Sequence, residues 1–169
     1  MIYPEGIDPE TTTLAQAWAW MEPHLIDGTN CLLCGGKAEV YWQALNREMA
    51  LFAVVLARRQ YQAPGVFHPI SVLARDIRLR FSAGSYARLR AWGAAEQGPE
   101  AATWRATDVT TAWVTGQVRL LRYVRFFMNN PLGPPQSNTK KGRLTAPMTW
   151  RDALGNAPFD LATFLAGEG

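Results

Sequence analysis

Ser85-Tyr86-Ala87-Arg88-Leu89-Arg90-Ala91-Trp92-Gly93, continued by Ala94-Ala95-Glu96-Gln97-Gly98-Pro99-Glu100-Ala101-Ala102-Thr103-Trp104-Arg105-Ala106, is the segment on which the fold turns. Ser85 is a capping residue for a helix whose Leu89 and Trp92 lie three apart, and Gly93 supplies the left-handed stop. Ala94 to Gln97 and Thr103 to Ala106 read as short extended runs around Gly98-Pro99-Glu100, which is a β-hairpin. Upstream, Pro69 can open a short helix through Ala74 or Arg75, because proline is preorganised for a first helical turn. A bend follows at Ser82-Ala83-Gly84. Further upstream, Asn46 caps a helix from Arg47 to Arg59. Its Met49, Phe52, Ala53, Leu56 and Ala57 form one apolar face, and Arg58 and Arg59 complement the C-terminal end of the dipole. Three helices and then a hairpin is the order of a winged helix, so the expectation is an α+β chain with a winged-helix body over residues 46–133.

The flanks read differently. Residues 1–45 carry a short amphipathic helix, with Thr13 as cap and Leu14, Ala17, Trp18 and Met21 at three-and-four spacing, ended by Pro23. Asp27-Gly28-Thr29-Asn30 is turn chemistry. Cys31-Leu32-Leu33-Cys34-Gly35-Gly36 then resembles the knuckle of a zinc ribbon, in which backbone amides point at the thiolates. Lys37 to Trp42 follows as a strand. Beyond the hairpin, Thr107 or Asp108 caps a brief helix to Trp113. Gln117 to Met128, rich in β-branched and aromatic residues, reads as one or two strands, ended by Asn129 to Pro135. Residues 134–169 read as a flexible linker and tail, with two helical turns, Trp150 to Leu154 and Phe159 to Leu165, docking on the body.

With 48% apolar and 18% charged residues, seven Trp and seven Phe among 169 residues, the chain has the material for a core and is not of disordered composition. The longest apolar run, Met49 to Ala57, is about half of what a membrane helix needs. The opening Met1-Ile2-Tyr3-Pro4-Glu5 has no secretory pattern, so the expectation is a cytoplasmic protein with no membrane partner. The two cysteines, three positions apart, are then poor disulfide material.

Formal charge is +3 and the isoelectric point near 9.1, too mild to imply a nucleic-acid partner by itself. Between Arg75 and Arg90, however, Arg75, Arg78, Arg80, Arg88 and Arg90 face a single acid, Asp76, a local balance of +4. Such a run fits a phosphate-facing patch, with Ser85, Tyr86 or Arg88 reaching base edges from the third helix. The plainer alternative is a solvated basic face. Trp92, Trp104 and Trp113 are read as core, and Arg119, Arg122 and Arg125 would split between two faces of a strand.

Cys31 and Cys34 offer two thiolates to zinc, and His24, seven residues upstream, is the candidate third ligand. A metal-free turn with two reduced thiols is the alternative. No phosphate loop, His-Glu-x-x-His or Gly-x-Ser-x-Gly occurs, so no catalytic residues are assigned and the chain is read as a non-enzyme.

Taken together, Cys31-Leu32-Leu33-Cys34-Gly35, Val40-Tyr41, Leu45-Asn46, Tyr86 to Gly93, Thr103-Trp104-Arg105-Ala106-Thr107 and Asn129-Asn130-Pro131-Leu132-Gly133 resemble a family of phage- and prophage-encoded proteins. The resemblance spans Cys31 to Gly133. It implies a winged-helix body with a CxxC lead-in and no particular activity; in this chain Ala94-Ala95 stands where a larger apolar pair is expected. The resulting expectation is a small regulatory DNA-binding protein in the host cytoplasm. The alternative is a module that binds a host or phage protein through the same scaffold, and homodimerisation is compatible with either.

Overall fold

A computed structural model of the chain describes residues 8, 10–25, 27–76, 83–127, 130–131, 139–140, 143–144, 146–156 and 158–166. Arg78 and Arg80, and half of the expected linker, lie outside them. In chain order the elements are α1 (Leu14–Met21), β1 (Thr29–Asn30), β2 (Lys37–Ala38), β3 (Tyr41–Ala44), α2 (Arg47–Gln62), β4 (His68–Pro69), α3 (Ile70–Asp76), α4 (Ala83–Arg88), β5 (Glu96–Gln97), β6 (Thr103–Arg105), α5 (Asp108–Val114), β7 (Tyr123–Phe127), β8 (Asn130–Pro131), β9 (Thr139–Lys140), β10 (Arg143–Leu144), α6 (Trp150–Leu154) and α7 (Leu161–Ala166). The chain is thus mixed α+β with small sheets: β1-β2, β9-β10, and the three-stranded β3-β7-β8 and β4-β6-β5. Among the described residues no helix is long and apolar enough to cross a membrane.

Two compact units emerge, one from Met1–Gln43 with Arg125–Leu132, the other from Ala44–Val124 with Gly133–Gly169. In the first, Thr13 caps α1 reciprocally with Gln16: the Gln16 amide donates to the Thr13 hydroxyl, and the Thr13 amide donates to Gln16 Oε1 at 2.8 Å. Of the expected α1 face, Ala17 and Met21 are buried and Trp18 is half-buried, whereas Leu14, in the first turn, is 79% exposed. Met21, Leu25 and Ala38 make a small core on which Trp18, Trp20, Cys31 and Val40 pack. The expected strand from Lys37 to Trp42 is two strands, β2 and β3, because Val40 turns its amide to the Leu25 carbonyl at 3.1 Å.

The second unit is organised by α2. Asn46 accepts from the Met49 amide at 3.0 Å and opens the helix where the sequence places it. Residues 49–57 are all buried, a helix apolar around its whole circumference rather than on one face. The reason lies downstream: α5, α6 and α7 cover the side that α3, α4 and β6 do not. Both tail turns therefore dock, as expected, and Trp150, Ala153 and Leu154 belong to the same core as Phe52, Leu56, Leu89, Trp104 and Trp113. Part of the expected linker is also structured, since β9 and β10 pair antiparallel with Lys140 opposite Arg143.

The expected short helix is present as α3, beginning one residue after Pro69. Pro69 itself ends β4, pairing with Thr103 while His68 pairs with Trp104. β4 is the edge of the order β4-β6-β5, where a missing amide donor is tolerated. α4 passes into a 3₁₀ turn, Leu89–Trp92, and Gly93 ends it at φ 68° with its amide on the Arg90 carbonyl at 2.9 Å, the stop the sequence predicts. The hairpin β5-β6 follows. Gly98 donates to the Thr103 carbonyl at 2.9 Å and has the Phe67 ring so close that a Cβ would lie 2.8 Å from it, so this position takes no side chain without a shift. Ala94 and Ala95 are buried, and the Thr110 hydroxyl donates to the Ala94 carbonyl at 2.6 Å.

Candidate nucleic-acid interface and two-cysteine knuckle

Arg75 sits in the last turn of α3, exposed, with Nε donating to the Ser71 carbonyl at 3.2 Å. Arg90, in the 3₁₀ turn after α4, is also exposed, and Arg88 at the end of α4 is half-buried. Ser85 lies within α4. Tyr86 does not face solvent: it is 9% exposed, its ring 5.2 Å from Phe52 and edge-on to Trp104 at 5.6 Å. Three residues from the fully buried Leu89, it shares the inward face of its helix, so the expected role at a base edge passes from it.

Asp76, the acid within the arginine run, is claimed from outside it. Arg59 on α2 donates Nε to Oδ2 at 2.7 Å and Nη2 to Oδ1 at 2.6 Å, a bidentate pair with the carboxylate only 11% exposed. The Asp76 hydrogen bond holds the Arg59 guanidinium's pKa above its ordinary value. This cross-link between α2 and α3 was not legible at a separation of 17 residues. Arg105 on β6 is likewise spoken for, bridging Glu96 on β5 at 2.7 Å and stacking over Phe67 at 4.5 Å.

His68 lies in the field of the Arg59–Asp76 pair. Its Nε2 and the Nε1 of its cross-strand neighbour Trp104 are both buried without a hydrogen-bond partner. Burial first, then the Arg59 charge, pushes the His68 pKa below its ordinary value, against a smaller opposing pull from Asp76. A depressed histidine pKa means that the unfolded chain binds the proton more tightly. Stability from this site is therefore whole above about pH 6.5 and falls as pH drops toward the folded value. Urea midpoints are expected to decline from pH 7.5 to 5.5 in the wild type and to decline less in His68→Gln.

The knuckle joins β1 to β2, which pair Thr29 with Ala38 and Asn30 with Lys37. Cys31 donates its amide to the Gly36 carbonyl at 2.6 Å, and the Gly35 amide returns to the Cys31 carbonyl at 2.8 Å, with Gly35 at φ 70°. Backbone amides of Cys34 and then Leu33 point at the Cys31 sulfur and hold its thiol pKa below the usual value, against a smaller upward push from burial. Both cysteines are free thiols, Cys31 half-buried and Cys34 exposed. His24 stacks on Trp20 at 4.5 Å, and its Nδ1 lies 2.8 Å from the Trp20 carbonyl, which makes Nδ1 the protonated nitrogen. It does not join the cysteines: among the described residues no three His, Cys, Asp or Glu side chains form a group that could hold a metal ion.

Compared with family models, curated proteins and solved structures, the chain matches none.

Proposed function

We propose that the second unit is a winged helix of phage type that binds duplex DNA without catalysis, using α3, α4 and the β5-β6 wing. One observation carries the reading: the strand before α3 pairs with the second wing strand, giving the antiparallel order β4-β6-β5 after the helix order α2, α3, α4. In this frame α4 with its 3₁₀ extension is the groove-facing helix, and Arg75, Arg88 and Arg90 are the phosphate ligands among the described residues. Engagement of Asp76 by Arg59 supports it for Arg75 and Arg90, because the acid within the arginine run is held by a residue outside it.

The test is the salt dependence of duplex binding. Each phosphate neutralised contributes about −0.9 to the slope of log affinity against log salt, so three arginine contacts give a slope of about −2.7. A flat dependence, or no binding at low salt, overturns the reading.

A second reading, a protein-binding scaffold, has one feature in its favour. An apolar groove of about 390 Å³ opens between α2, α5 and α7, lined by Ala57, Tyr61, Thr111, Thr115, Leu165 and Ala166, with Tyr61 85% exposed. A host protein retained after nuclease treatment, and lost with Tyr61→Arg, would favour it.

A further inference from the structure

The most basic stretch of the chain is not the one around α3 and α4. Val109 to Arg151 holds seven basic residues and no Asp or Glu, whereas the rest of the chain holds ten basic residues against fourteen acids. We infer that the β9-β10 hairpin within this stretch is a second nucleic-acid contact, an arm whose Lys140 and Arg143 meet backbone phosphates of a bound duplex. The inference rests on the reading of the protein as nucleic-acid-binding, and it adds a surface that reading does not use.

Register places two cations against each other. β9 and β10 pair Lys140 with Arg143, and Thr139 with Leu144. Like charges at directly opposed positions weaken a ladder, and strands this short are marginal to begin with. An anion shared by the two removes the repulsion, and a phosphate diester is the anion whose oxygens suit both ammonium and guanidinium. Leu144 is the only large apolar residue between Gln136 and Thr145. Elements that lie on a bilayer join their cations to an apolar face, which this hairpin lacks, so a polyanion in water fits it and a lipid surface does not.

Chain connectivity keeps the hairpin close to the second unit, to which it and α4 both belong. Met148 exchanges both backbone hydrogen bonds with Leu120, at 2.8 and 3.1 Å, and its carbonyl accepts from Trp113 Nε1 at 3.2 Å. Leu120 and Trp113 are members of the core around α2, so Met148 is a fixed point. Arg143 stands five residues before it, which bounds the backbone separation at about 18 Å. An arm on so short a tether is presented at high effective concentration to a duplex bound by the same unit. Arg119, beside the fixed point, and Arg122 are both exposed and add to the basic character there.

The experiment is a salt titration of duplex DNA binding by the full chain and by Lys140→Gln/Arg143→Gln, with urea midpoints confirming equal stability. Two phosphate contacts from the hairpin, added to those of Arg75, Arg88 and Arg90, give the wild type a slope of about −4.5, and the double variant a slope of about −2.7. Lys140→Arg/Arg143→Lys, which keeps both charges, is expected to retain the wild-type slope. A double variant that binds with the slope and affinity of the wild type overturns the inference and leaves α3 and α4 as the interface. A wild type that binds no duplex at low salt overturns that reading together with this one. Capture of the wild type by phosphatidylserine vesicles without duplex binding assigns the cations to a membrane surface and also overturns it.

Discussion

Trp150→Ala is expected to lower the unfolding free energy by about 3–5 kcal/mol, the loss typical of removing a large buried aromatic. Trp150 is 3% exposed, meets the Phe159 ring edge-on at 5.8 Å, and donates Nε1 to the carbonyl of Ala50 at 2.8 Å, a hundred residues earlier. Ala50 is fully buried and small enough to admit the indole against the α2 backbone. Thr149 fixes the entry of α6 by a reciprocal cap with Asp152, so the indole is delivered by a short helix with a defined start. Trp150→Phe keeps most of the apolar volume and gives up the hydrogen bond, for a loss nearer 1–2 kcal/mol. Urea denaturation measures both. A loss below about 1 kcal/mol for the alanine variant would mean that the C-terminal turns contribute little to the core.

Asp76→Ala is expected to cost about 2–3 kcal/mol. The substitution strips the Arg59 guanidinium, whose side chain is 28% exposed, of both its short hydrogen bonds and its counter-charge. Breaking a fully buried pair costs more, but Arg59 retains partial access to water, which discounts the figure. Replacing both partners by apolar residues of similar volume should recover much of the loss, because no uncompensated charge remains. A coupled effect follows at His68: Asp76 is the group that raises its pKa, so in Asp76→Ala the imidazole should titrate lower still. Denaturation reads the first effect and NMR titration of the His68 ring the second.

The parts of this fold written in local chemistry were legible. Asn46, Thr13 and Thr107 accept from backbone amides at the starts of α2, α1 and α5, and Gly93 ends the turn after α4, all as residue type and spacing predict. What failed was whatever depends on distant segments. β4 is two residues long, too short for any alternation, and exists because β6 offers it a partner. The full burial of α2 reflects helices arriving from residues 108–166, and nothing between Arg47 and Arg59 announces them. The hydroxyl of Tyr86 suits an outward role, whereas its spacing from Leu89 places it inward. At the candidate site, Arg75 and Arg90 are exposed. The capture of Asp76 by Arg59 and the separation of His24 from the cysteines are tertiary facts.

In the proposed interface, the arginines of α3 and of the turn after α4 meet nucleic-acid phosphates. The most direct check is the salt slope of duplex binding for Arg75→Gln/Arg90→Gln beside that of the wild type, with both chains equally stable to urea. Loss of two phosphate contacts predicts a slope shallower by about 2 and weaker binding at every sequence tested. An unchanged slope and affinity would contradict it, placing any nucleic-acid contact on another surface.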